Sequence, residues 1–306
     1  MLEFGPLSDG PTDGAMNFRK HLCHRLGTVL FFGLRILAHG SVNNADLQKQ
    51  YEGQVLTLRQ FYSGRHLHFD AAGKLASAVT PGTWTMDGQV RVKEISFKDG
   101  VVHIRGQRLF LFFDHDIKQL RDAGSVTKKD KAGSLFGKKD VDKWVTKEGK
   151  TEIEVECGVT QPETADVIKA MNAVFLAPGE TLAGVVPDFW KSYVEPKTLV
   201  SPAPMPKSSG DVYRVGGGVS APHVTYSPDP SYPELTRQAM YQGTTVLWLV
   251  VDRDGLPQDI RIARPLGMGL DEAAINAVRT WRFDPAKKDG NAVRVMINVQ
   301  VTFRLY

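Results

Sequence analysis

The C-terminal stretch "AVRVMINVQVTFRLY" alternates apolar and polar residues from Arg294 to Leu305, with Met296 the one apolar residue on the polar face. A period of two places Val295, Ile297, Val299, Val301, Phe303 and Leu305 on one face of a strand and Arg294, Met296, Asn298, Gln300, Thr302 and Arg304 on the other. Such a strand must lay its apolar face against something, and the residues before it supply the partner. In "LDEAAINAVRTWRFDPAKKDG", Leu270, Ala273, Ala274, Ala277, Val278 and Trp281 recur at helical spacing and form one apolar stripe. Asp271 and Glu272 sit in the first turn and Arg279 and Arg282 in the last, as the helix dipole favours. Phe283 and Pro285 then stop the helix.

Upstream, "SYPELTRQAMYQG" reads as a helix opened by a capping box, with Ser231 as the cap and Glu234 reaching back. Gly243 is expected to close it in the C′ position. "TTVLWLVVDRDG" is a strand apolar on both faces, turned at Asp254-Gly255 into "PQDIRIAR". The order helix, hairpin, helix, strand predicts an α+β sandwich over residues 231–306, with two helices on a three-stranded antiparallel sheet.

This pattern resembles the TonB C-terminal domain of the TonB-family proteins of Gram-negative bacteria. The residues that carry the resemblance are Tyr232-Pro233, Gly243, Val250-Val251-Asp252 with Gly255, Leu270-Asp271 with Ala274, and Trp281-Arg282-Phe283 with Pro285. Gly290 and Phe303-Arg304-Leu305 complete it, and the similarity covers only the last quarter of the chain. The resemblance implies a periplasmic domain that pairs by strand addition with a short segment of an outer-membrane receptor or another envelope protein. Read physically, Trp281 and Phe283 fasten the second helix onto the sheet, and Pro285 turns the chain so that the last strand can run back. The motif marks a fold and carries no chemistry. Energy-transducing members also have an N-terminal anchor bearing a Ser and a His, and a long Pro-Glu/Pro-Lys spacer. Neither pattern is present between Met16 and Gly40 or in the region that follows.

An edge on the final strand would present unpaired N–H and C=O groups. Arg294 and Arg304 blunt it only in part, and no proline interrupts it. Arg294, Met296, Asn298, Gln300, Thr302 and Arg304 are therefore the candidate partner-binding residues. An added peptide strand is the favoured occupant, on the TonB resemblance. A homodimer across a two-fold axis is the other arrangement such an edge allows.

With 306 residues, the chain is long enough for more than one domain. "MNFRKHLCHRLGTVLFFGLRILAHGS" has a basic start, a short apolar run from Leu26 to Leu34, and Ala38-His39-Gly40 before Ser41. That is the form of a secretory signal cleaved after Gly40, and it places the rest in the periplasm. An uncleaved inner-membrane anchor facing the periplasm is the alternative, although Arg35 leaves the run short of the ~20 residues a spanning helix needs. Residues 1–40 are thus assigned to a signal or anchor. If the signal is cleaved, Cys157 is left without Cys23, and no intramolecular disulfide is expected.

Residues 46–158 carry period-two runs such as "QVRVKEISF", "VVHIRGQRLFLFF" and "TEIEVEC", and predict a mainly antiparallel β domain of barrel or roll type. Asp99-Gly100 should turn two of these strands as a hairpin. A helical segment spans 159–194, with Val167, Ile168, Met171 and Phe175 on one face. Residues 195–230, rich in Pro, Ser and Gly, read as a linker.

The formal charge of +4 does not argue for nucleic acid, and the lysines between Lys128 and Trp144 read as a solvated loop. His66 and His68 share a strand face but lack Cys or acidic partners at ligand spacing, so exposed histidines are expected. Asp114-His115-Asp116 falls where a polar turn should end an apolar strand. Gly216-Gly217-Gly218 lacks the Lys-Ser/Thr of a phosphate loop, and no nucleophile elbow or zinc-protease motif is present. No enzyme activity, cofactor or metal is expected. The two functional readings are an interaction module in or beside outer-membrane transport, and a periplasmic β domain that holds a lipid, glycan or wall ligand and docks through the C-terminal domain. A large apolar cavity within 46–158 would favour the second.

Overall fold

Between Val55 and Glu156 the strand-forming sequences make one open five-stranded sheet and a separate two-stranded hairpin. The computed structural model describes residues 41–305 apart from 77, 128–129, 138–139 and 195–210, and the described residues belong to one compact unit. The segment read as a signal, residues 1–40, and the first part of the Pro/Ser/Gly tract lie outside them. Helix α1 (Asn44–Tyr51) leads into β1 (Val55–Thr57), β2 (His66–Phe69), a turn of helix α2 (Trp84–Asp87) and the hairpin of β3 (Gln89–Lys98) and β4 (Val101–Arg108). There follow a second hairpin, β5 (Leu111–Asp114) and β6 (Gln119–Asp122), then α3 (Val141–Glu148), β7 (Lys150–Glu156), α4 (Thr164–Val174) and α5 (Asp188–Val194).

The sheet order is β1-β3-β4-β7-β2, antiparallel except where β2 joins β7 in parallel. The sheet therefore ends in two edges and does not close into the barrel or roll expected from sequence. Closure is unnecessary because helices cover its apolar face. Val167, Ala170, Met171 and Val174 of α4 and Leu47 of α1 pack on Val90, Val92, Val102, Ile104, Ile153 and Val155, all buried. The β3–β4 hairpin turns at Asp99 (φ 53°) and Gly100 (φ 83°), the paired positive φ values that an Asp-Gly turn supplies.

The C-terminal region continues with β8 (Val212–Arg214), β9 (His223–Tyr226), α6 (Glu234–Gln238), β10 (Gly243–Val251) and β11 (Pro257–Arg264). After α7 (Leu270–Val278) come β12 (Arg282–Asp284), β13 (Lys287–Lys288), β14 (Asn291–Ala292) and β15 (Arg294–Phe303). Strands β11, β10 and β15 pair antiparallel with α6 and α7 on their apolar face, the expected α+β arrangement, but β8 joins β15 in parallel as a fourth strand that the sequence did not predict.

Two expectations at its start fail. Helix α6 begins after Pro233 with no side-chain cap, and Glu234 reaches forward to Arg237 and Gln238 instead of closing a capping box with Ser231. The helix starts at Glu234 itself, so this residue stands at the first helical position and not three residues past the cap, where a capping-box carboxylate must be. Met240 (φ 53°) takes the left-handed position expected of Gly243, which instead opens β10.

The two cores divide differently from the sequence expectation. The continuous apolar run Leu109–Phe113 leaves the first sheet and is buried in the C-terminal core with Tyr241, Leu247, Leu249, Ile262, Leu266, Leu270 and Phe303. Backbone bonds reinforce this. Phe113 N donates to Leu266 O at 2.7 Å and Met268 N to Leu111 O at 2.6 Å. A run apolar on both faces needs cover on both, and the hairpin of β5 and β6 finds the second cover on the C-terminal elements. Trp190 of α5 is also buried there. Residues 211–230, read as linker, contribute β8 and β9 and lie along β15 and β12.

Candidate partner-binding edge

Strand β15 is held on one side by β10 over its whole length, from Gly243 opposite Phe303 to Val251 opposite Val295. On the other side β8 pairs in parallel with only Arg294, Val295 and Met296. From Ile297 to Phe303 that second edge has no strand partner among the described residues. The predicted alternation holds. Val295, Val301 and Phe303 are buried, Ile297 and Val299 half-buried, and Asn298, Gln300, Thr302 and Arg304 exposed.

Two of the candidate residues are not open to a partner in the way expected. Met296 is buried with Val212, Val250 and Trp248, because β8 and β10 flank it on either side and their side chains cluster with it on the outward face. Arg294 is half-buried, its Nη1 donating to both carboxylate oxygens of Asp211 at 3.0 Å, with Asp259 3.8 Å from Nη2. Of the six candidates, Asn298, Gln300, Thr302 and Arg304 stay exposed. Sequence reading missed Asp211 and Val212. The signal was present in Val212, Tyr213 and Val215, β-forming residues between Gly210 and Gly216.

The signature residues hold this sheet together. The Asp271 carboxylate, fully buried, accepts from Thr245 Oγ1 at 2.6 Å, Leu266 N at 3.0 Å and Gly267 N at 2.6 Å, tying β10 and the β11–α7 turn to the helix. Burial pushes its pKa up to about 6, against the pull of those donors. Its neighbour Glu272 is also buried and is pushed up to about 8, by burial first and then by Asp271. Trp190 Nε1 donates to Glu272 Oε1 at 2.8 Å, while Oε2 has no partner among the described residues.

Tyr232 stacks edge-on to Phe303 at 5.4 Å, and its hydroxyl donates to Tyr241 O at 2.5 Å. Leu270 and Ala274 are fully buried, whereas Pro285 is half-buried.

Trp281 and Phe283 divide the fastening role unequally. Phe283 is 5% exposed in the core, whereas Trp281 is half-buried, its Nε1 donating to Pro228 O at 3.3 Å. Trp281 thus seats the incoming segment more than it fills the core. Phe283→Ala should destabilise by ~3–5 kcal/mol, and Trp281→Ala by roughly half as much, since only part of its ring leaves water. Urea unfolding of both variants checks the ranking; a larger loss for Trp281 would contradict this placement.

Elsewhere, the histidines of β2 meet acids that sequence spacing did not reveal. His66 lies 3.1 Å from Glu152, and His68 lies 3.0 Å from Glu154 and 2.8 Å from Glu156. His103 Nδ1 is 3.2 Å from Glu154. All sit on the polar face of the first sheet, and the Glu156 hydrogen bond leads in raising the His68 pKa. Among the described residues no such group has the arrangement to hold a metal ion. Asp114 accepts from Arg121 Nη1 at 2.7 Å and from Asp116 N at 3.0 Å, which makes it the turn residue the sequence suggests. Burial, then Arg264, lowers the His115 pKa. Cys157 is free and buried.

Residues 228–305 match the family model for the Gram-negative bacterial TonB protein C-terminal. Protein tonB2 of Pseudomonas aeruginosa is 35% identical over 81 residues, which make up 26% of this chain and 30% of that protein. Protein TonB of Vibrio cholerae serotype O1 is 28% identical over 83 residues, or 27% of this chain and 34% of that protein. The solution NMR structure of the Pseudomonas aeruginosa TonB CTD covers 29% of this chain and 89% of its own, at 19% identity and a TM-score of 0.25. The chain thus spans about a third of the length of the curated relatives it matches. The similarity is confined to the last quarter of the chain, where residues 228–305 match the TonB C-terminal domain.

Proposed function

We propose that this is a non-enzymatic, periplasmic interaction protein of the Gram-negative envelope, which takes an extended segment of an outer-membrane receptor or other envelope protein as an added strand on β15. The observation that carries the reading is the edge from Ile297 to Phe303, which has no strand partner among the described residues and is flanked by exposed Asn298, Gln300 and Thr302. Main-chain hydrogen bonds would supply affinity there, and the exposed side chains would supply choice. The alternative, a ligand held inside the N-terminal β region, draws less support, because α1 and α4 fill the apolar face of the first sheet. No described helix is long and apolar enough to cross a membrane.

The test uses the full chain as bait in envelope extracts. Successive strand amides point to opposite edges, so of Val299→Pro and Gln300→Pro one removes an outward donor and the other a bond to β10. The variant that stays folded is informative, and its capture of the partner should fall at least tenfold, on the order of the affinity lost with one charge-free hydrogen bond and its local geometry. Capture at unchanged affinity by that folded variant would overturn strand addition through β15.

A further inference from the structure

One strand already lies on the β15 edge, and it belongs to the chain itself. β8 runs parallel to β15 with Val212 opposite Arg294, Tyr213 opposite Val295 and Arg214 opposite Met296. Asp211 holds Arg294 through both carboxylate oxygens at 3.0 Å, and Val212 is buried against Met296, Val250 and Trp248. Beyond that the attachment is slight. Tyr213 is 38% and Val215 48% exposed, with the Lys288 ammonium 4.7 Å from the Tyr213 ring. The sequence bounds the strand on both sides. Gly216, Gly217 and Gly218 follow it with φ of 104°, 60° and 89°, and Pro196, Pro202, Pro204 and Pro206 precede it without ladder donors.

We infer that Asp211–Val215 is a built-in occupant of the partner edge, a tethered strand that a partner must displace to use the whole of β15. This rests on the strand-addition reading of that edge and adds its regulation. An ion pair whose carboxylate is still open to solvent contributes little, and a single buried valine provides most of the side-chain attachment. The tether offsets this weakness, because a covalently linked segment competes at an effective concentration in the millimolar range, far above a free peptide at micromolar levels. The edge is thereby shielded against casual pairing and still open to a longer partner that also engages Ile297–Phe303.

The experiment needs no envelope partner. A fluorescein-labelled synthetic peptide of the chain's own residues 209–217 is titrated against the full chain, against Val212→Pro and against Asp211→Lys, which sets a like charge beside Arg294. Amide exchange at Arg294–Met296 is followed in each. Both variants should keep the wild-type circular dichroism, exchange faster at Arg294–Met296, and bind the peptide at least on the order of tenfold more tightly than wild type does, since the tethered competitor is gone. Folded variants that take up peptide no better than wild type, or keep slow exchange at Arg294–Met296, would overturn the inference. Loss of the native fold in both variants would also overturn it, because β8 would then be an integral strand. Loss of envelope-partner capture in the Val299 or Gln300 variants is read separately and bears only on the partner.

Discussion

Gly255→Ala should be among the most damaging single substitutions in the C-terminal domain, at ~3–5 kcal/mol. Gly255 has φ 77°, in the left-handed region where a residue with a Cβ is disfavoured by about 1–2 kcal/mol. A Cβ built there would lie 1.8 Å from the Phe283 carbonyl oxygen. That oxygen is backbone, so no rotamer change relieves the clash. Nor can the backbone easily withdraw, because Phe283 N donates to Gly255 O at 3.0 Å and the Phe283 ring is buried. The turn is pinned from its own side as well, Asp252 Oδ1 accepting from Asp254 N at 2.9 Å and Leu256 N at 2.8 Å. Against a total stability of about 5–15 kcal/mol, the variant should show a large drop in urea midpoint. A midpoint equal to wild type would mean that the hairpin turn does not touch β12.

Glu272 should make the stability fall as the pH rises. Its pKa is raised from 4.5 to about 8 in the folded chain, chiefly by burial. A raised carboxyl binds its proton more tightly in the folded state, so its contribution is fully present below pH ~4.5 and is lost as the pH climbs through about 8. The span corresponds to a loss of at most about 5 kcal/mol, which relaxation of the site would reduce. Asp271, raised from 3.8 to about 6, adds a loss of the same sign over the lower part of the range. Glu272→Gln keeps an oxygen for Trp190 Nε1 and removes the ionisation. Urea midpoints at pH 5, 7 and 9 should decline steeply for wild type and much less for the variant. Parallel declines would show that Glu272 titrates normally and is not buried against Trp190.

The same residues show what the sequence could convey. Alternation in β15 was legible because one face meets α7 and the other, past Met296, meets water. The Asp99-Gly100 hairpin was legible because its turn is decided by two adjacent residues. The α7 stripe was only half legible. Asp271, Glu272 and Ile275 are buried, so the helix is covered on a second side, where Trp190 of α5 meets Glu272. Charged residues in a first helical turn read as solvated, and nothing local announces that Thr245 and Leu266 wait for Asp271.

The Leu109–Phe113 run was visible as apolar, but beside nearby Phe136 and Trp144 it packs on C-terminal residues such as Tyr241 and Leu266, more than a hundred residues away. The acids beside His66 and His68 come from β7, reached through a parallel pairing that spacing along the chain cannot express. For the edge itself, the six outward residues followed from alternation alone. That β8 removes Arg294 and Met296 from the open set depended on how a Ser- and Pro-rich tract docks, which its composition conceals.

Hydrogen exchange on β15, with and without the captured envelope partner, tests strand addition most directly. Backbone amides that face an unpaired edge exchange quickly, and pairing with an added strand slows them. Outward-facing amides between Ile297 and Phe303 should become strongly protected in the complex, while those bonded to β10 change little. Unchanged exchange across Ile297–Phe303, with new protection on another surface, would contradict strand addition on β15 and place the partner elsewhere.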